Sequence, residues 1–198
     1  MRLAARDLAC FRGGRQVFRD LSFVLASGQA LAVTGPNGAG KSSLLRLVAG
    51  LIRPAAGRIE LSNGDSDLTI AEQAHYLGHQ DALKPSLTVQ ENLSFWADLL
   101  GADTPKPALP IVGLDRLARV PAVYLSAGQR RRLSLARLIA CPRPIWLLDE
   151  PSSTLDAPAQ AMLTDLMRGH LAGGGLILVA AHGEIRFQTG EVRLGGSR

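Results

Sequence analysis

Cysteine is almost missing from this chain of 198 residues. Cys10 and Cys141 stand far apart and in no ligand-like spacing, which excludes a disulfide framework and a cysteine zinc site and fits a reducing compartment. Lysine is scarce too: Lys41, Lys84 and Lys106 are the only three among 22 basic residues. The excess of arginine is spread along the chain, so the formal charge of +5 does not by itself point to nucleic acid or an acidic membrane surface. Long apolar runs are also lacking. The longest, residues 176–181, falls far short of the roughly 20 residues that a membrane helix needs. The first residues carry Arg2, Arg6 and Asp7 without an apolar stretch, so a signal peptide is not expected. A soluble chain that reaches membranes only through partners is the expectation, with enough length for one substantial core.

What is present alternates. Leu31, Ala32 and Val33 precede a glycine-rich turn and a leucine-rich segment, residues 43–50, which reads as strand, loop and helix. Residues 145–148 predict a buried strand closed by Asp149 and Glu150; a helical pattern (156–171) and another buried strand (174–181) follow. Such alternation predicts a parallel sheet covered on both faces. Residues 2–9, 18–26 and 57–61 instead suggest an antiparallel β subdomain at the N-terminus, with turns at Gly13-Gly14 and Ser27-Gly28. Between the halves, residues 88–100 place Val89, Leu93, Trp96 and Leu100 at helical spacing. A proline-rich loop (104–110) and a short helix (114–119) follow. The expected organisation is a single α/β domain over 1–198, with core segments 1–82 and 140–198 and a helical lobe inserted over 83–139.

Residues 35–42 (Gly35, Pro36, Asn37, Gly38, Ala39, Gly40, Lys41, Ser42) match the phosphate-binding loop pattern G-x-x-x-x-G-K-[ST] in full, after a strand and before a helix. Backbone N–H groups and the helix dipole would converge on phosphate oxygens, Lys41 would bridge the β- and γ-phosphates, and the Ser42 hydroxyl would hold Mg²⁺. A P-loop needs a partner carboxylate at the end of a neighbouring strand, and Asp149 is placed there to hold Mg²⁺ through water. Glu150 beside it can act as the general base on attacking water. These features make an ATP-hydrolysing P-loop enzyme the expected class.

Leu125-Ser126-Ala127-Gly128-Gln129, followed by Arg130-Arg131-Arg132, resembles the signature segment of ABC ATPases, with Ala127 where glycine is usual. The order of P-loop, Gln80, signature, Asp149-Glu150, Asp156 and His182 is similar to that family over almost the whole chain. The resemblance implies a homodimer with two composite sites. Ser126, Ala127, Gly128, Gln129 and Asp156 would then serve the nucleotide held by the other copy, Gln80 would sense Mg²⁺ and water, and His182 would contact the γ-phosphate. Ser43 continues the ATP site, and Phe11, with Arg12 as the alternative, is the candidate for stacking on adenine. The arginine triplet reads as a solvated or interdomain face rather than a nucleic-acid site.

Residues 76–93 and 125–132 are similar to the ATP-binding subunits of bacterial haem exporters of cytochrome c maturation. That resemblance implies a peripheral protein on the cytoplasmic face of the inner membrane, working with integral membrane subunits. The short stretch after His182 implies no C-terminal regulatory domain. Leu83, Pro85, Phe95 and Trp96 are candidates for lining a partner groove beside Gln80. The alternatives are an ABC transporter with another substrate, a soluble ABC ATPase acting on nucleic acid or ribosomes, and a P-loop kinase. The last leaves the signature segment without a purpose.

Overall fold

The computed structural model describes residues 1–102, 106–180 and 190–195. Strands β1 (Arg2–Arg12), β2 (Arg15–Ala26) and β4 (Ala56–Ser62) form an antiparallel sheet in the order β2-β1-β4. Gly13 and Gly14 join β1 to β2, both at positive φ, the conformation that a two-residue hairpin turn requires. The second sheet is parallel. It contains β3 (Ala30–Thr34), β5 (Ala74–Leu77), β6 (Ile145–Asp149), β7 (Leu176–Ala180) and β8 (Gly190–Arg193), in the order β5-β6-β7-β3-β8.

The apolar runs of β6 and β7 are divided between two faces, as the pleat demands. Ile145, Leu147, Leu176 and Leu178 pack with α1 (Lys41–Val48) and the inner side of the antiparallel sheet. Trp146, Leu148, Ile177 and Val179 pack with α4 (Ala157–Ala172) and with Leu135 and Leu138 of α3 (Ala127–Ala140). Both faces are covered, so neither strand shows a polar alternation.

A third cluster joins α2 (Val89–Leu99), the segment around Leu109–Leu114, and the opposite side of α3 through Leu133, Ala136 and Ala140. The helix expected over 114–119 is a single 3₁₀ turn, Asp115–Leu117. Its onward carbonyls are taken: Ala118 and Val120 accept the N–H groups of Gln90 and Val89 at the start of α2, and Pro121 follows. No helix among the described residues is long and apolar enough to cross a membrane.

Candidate nucleotide site

All five strands of the main sheet run parallel, so the loops after β3, β5 and β6 emerge at one edge, where open α/β sheets bind ligands. The P-loop follows β3. Gly35 (φ 136°) and Gly40 (φ 101°) lie at positive φ, and a Cβ would strike Leu194 O at the first and Val17 Cγ1 at the second. Only glycine fits there. Lys41 opens α1 and is almost fully buried. Its Nζ donates to the carbonyls of Gly35 (2.8 Å) and Pro36 (3.1 Å), so the loop wraps its own ammonium.

A cavity of about 640 Å³ beside this loop is lined by Arg12, Val17, Asn37, Gly38, Gly40, Lys41, Ser42, Ser43 and Glu150. Its size suits a small-molecule ligand. Glu150 reaches it although β6 is not next to β3, because β7 lies between them. The sequence reading, which put the acidic pair on a neighbouring strand, is corrected to that extent. Phe11 is 55% exposed and does not line the cavity. Arg12, one residue on at the hairpin tip, does.

Asp149 is buried, and its Oδ2 accepts the Tyr76 hydroxyl at 3.4 Å. Glu150 has φ 48°, an unusual value for a residue with a side chain. Its N–H donates to Ala180 O at 2.8 Å, and its carbonyl accepts Ser153 Oγ at 2.9 Å. Gln80 is exposed, three residues past the end of β5 and beside β6. Among the described residues no group of three His, Cys, Asp or Glu could hold a metal by itself. His182 lies outside the described residues.

The signature segment forms the N-terminus of α3. Ser126 Oγ accepts Gln129 N–H at 3.2 Å, and Gln129 Oε1 accepts Ser126 N–H at 2.8 Å, a reciprocal capping box. Ser126 and Ala127 are exposed, and none of residues 126–129 lines the P-loop cavity. Asp156 caps α4, accepting Ala159 N–H at 3.0 Å.

The arginine triplet, read as a solvated or interdomain face, is not solvated at its middle member, which bonds the core segments from α3. Arg130 donates to Leu125 O, and Arg132 to the carbonyls of Val112 and Gly113. Arg131 is 2% exposed. Nothing in three consecutive arginines singles out the middle one; the tertiary packing of α3 against the sheet edge does.

The groove beside Gln80 is lined by Arg46, Leu51, Tyr76, His79, Trp96 and Arg137 among others. Trp96 takes its expected place, whereas Leu83, Pro85 and Phe95 do not line it. Phe95 packs edge-on against Trp96 and under the Lys84 ammonium instead. The Trp96 indole donates to Ala82 O at 3.1 Å, and Arg137 lies over its ring at 4.6 Å.

The family model described as ABC transporter matches residues 18–153. The chain belongs to the ABC transporter family. It is an ATPase of that family, and its sequence is similar, end to end, to proteins named cytochrome c biogenesis ATP-binding export protein. The relative from Nitrobacter winogradskyi is 59% identical, covering 100% of each chain. The one from Rhodopseudomonas palustris strain HaA2 is 57% identical, again over 100% of both. The solved ATP-binding subunit of an ABC transporter superposes with a TM-score of 0.83 at 27% identity, over 92% of this ATPase and 80% of that chain. A putative ABC transporter ATP-binding protein from Pyrococcus furiosus shares the fold, with a TM-score of 0.82 at 22% identity over 98% of each.

Proposed function

We propose that this ATPase powers a haem exporter that serves cytochrome c biogenesis. It works as a homodimer docked on integral membrane subunits at the cytoplasmic face of the bacterial inner membrane. The observation that carries the reading is the cavity in which Lys41, Ser42 and Glu150 meet, in a chain 59% identical throughout to a cytochrome c biogenesis export protein.

The P-loop N–H groups and the α1 N-terminus bind the phosphates. Lys41 exchanges its contacts to Gly35 O and Pro36 O for β- and γ-phosphate oxygens. The oxygen donors at hand fit Mg²⁺: Ser42, Asp149 and Gln80 would hold it, and with no all-protein ligand cluster among the described residues the rest of its shell would be phosphate and water. When bound, Mg²⁺ neutralises charge developing on the phosphates. Glu150 takes the proton of the attacking water. Arg12 stacks on adenine in place of Phe11. His182, by its position in the sequence, contacts the γ-phosphate. Ser126, Ala127 and Gly128 do not line their own P-loop cavity, which supports delivery of the signature segment and Asp156 to the second copy's nucleotide. The groove at Gln80 and Trp96 receives the membrane partner.

The test is a strain deleted for this chain. Loss of c-type cytochromes, restored by the wild type and not by Glu150→Gln, is the expected result, with the membrane subunits co-purifying from detergent extracts. Glu150→Gln itself should bind ATP yet hydrolyse it at least about 100-fold more slowly. Normal cytochromes in the deletion strain would reassign the ATPase to another cargo.

A further inference from the structure

The Arg131 guanidinium uses every donor it owns. Its Nε donates to Pro151 O (3.1 Å), and Nη2 donates to Asp149 O (3.1 Å) and Glu150 O (2.9 Å). Its Nη1 donates to Gly78 O (2.8 Å) and to Asp81 Oδ1 (3.2 Å). Five N–H groups meet five acceptors, the full complement of this side chain. Three of the acceptors are the consecutive peptide carbonyls of residues 149–151, the segment that carries Asp149 and Glu150. The other two flank Gln80. Arg131 itself lies on α3, five residues after the exposed Ser126.

Glu150 sits at φ 48°, a conformation that costs a residue with a Cβ and persists only where the surroundings hold it. Its N–H is bound by Ala180 O in β7 and its carbonyl by Arg131 in α3, so the peptide units on either side of its Cα are tethered. A buried guanidinium is costly to desolvate, and filling the core would need only an apolar side chain. The planar fork reaches acceptors fanned around it; an ammonium, with three donors on one atom, cannot.

We infer that Arg131 is the positioning residue of the hydrolytic step, holding Glu150 at its angle to the γ-phosphate and in register with the loop that carries Gln80. It does not line the P-loop cavity and acts through the main chain of Glu150. The inference rests on Glu150 being the base.

The experiment is a double-mutant cycle on the full-length protein, combining Arg131→Lys with Glu150→Gln and measuring kcat, ATP Kd and thermal midpoint. Arg131→Lys is expected to keep Kd within about twofold while kcat falls between about 10- and 100-fold, the scale of a misplaced catalytic group. The double variant is then no slower than Glu150→Gln alone, within about threefold, because residues that act as a unit are not additive. Losses that multiply would overturn the inference, as would a folded Arg131→Lys protein with wild-type kcat. If Glu150→Gln alone keeps its turnover, it is the reading of Glu150 as base that fails.

Should Arg131→Lys not fold, Asp81→Ala, at a partly exposed position and removing one acceptor while sparing the other four contacts, enters the same cycle. A three- to tenfold loss of kcat at unchanged Kd, absent in the Glu150→Gln background, supports the inference; wild-type kcat overturns it.

Discussion

The Tyr76 hydroxyl donates to the Asp149 carboxylate at 3.4 Å, from the strand next to β6. The same phenol accepts Arg46 Nε at 3.2 Å, and its ring walls the groove beside Gln80. Burial raises the Tyr76 pKa, so the hydroxyl keeps the proton that it donates. One side chain thus borders both the groove proposed for the membrane partner and the carboxylate proposed for the metal.

A hydrogen bond of that length contributes about 1 kcal/mol at most. Tyr76→Phe should therefore shift the Mg²⁺ concentration for half-maximal turnover by no more than about fivefold, read from a Mg²⁺ titration of ATPase rate. A hundredfold shift would mean that the phenol itself contacts the nucleotide.

Ser126→Arg should leave ATP binding by the single chain intact and abolish hydrolysis, since the arginine would obstruct the partner's γ-phosphate. Mixing this variant with Lys41→Ala, itself inactive, should restore turnover. A heterodimer of the two pairs one intact P-loop with one intact signature segment. Two inactive proteins that stay inactive when mixed, under conditions where they exchange subunits, would argue against composite sites.

Arg12 at the cavity wall and the exposed Phe11 make opposite predictions for adenine. Arg12→Ala should raise the ATP Kd about two- to fivefold, the scale of an exposed cation–π contact, while Phe11→Ala leaves it unchanged. Equilibrium binding of ATP to each variant distinguishes them, and the reverse ranking would return the stacking role to Phe11.

His75 is buried, with its Nε2 at 2.5 Å from Cys141 O. Burial pushes its pKa from 6.5 down to about 3, and the nearby Arg137 adds to the shift. Over the interval between those values the unfolded chain binds the proton and the folded chain does not. Stability is therefore present above pH 6.5 and lost as pH falls through the interval. Urea unfolding should show a loss of about 2 kcal/mol for this group between pH 7 and pH 5. His75→Gln should flatten that dependence; an unchanged slope would mean that His75 is protonated in the folded state. His170, stacked on Trp146 at 3.9 Å, is displaced in the same direction by burial and adds to the wild-type slope.

The sequence by itself determined the features that depend on near neighbours along the chain. A P-loop is written in eight adjacent residues because its glycines answer to local φ and close approach. The caps of α3 and α4 join residues three apart, Ser126 with Gln129 and Asp156 with Ala159. The apolar runs of β6 and β7 announced a sheet buried on both faces, since each residue needs only its own burial to be legible. What joins distant residues was decided by the tertiary structure. That β7 lies between β3 and β6 is a matter of strand order, to which no run of residues refers. Arg12 rather than Phe11 faces the cavity because the hairpin tip meets the P-loop there. Arg131 read only as one of three arginines on a solvated or interdomain face. Its acceptors lie between 18 and 53 residues away, and only when α3 packs across the ends of β5 and β6 do they converge on one guanidinium beside Glu150.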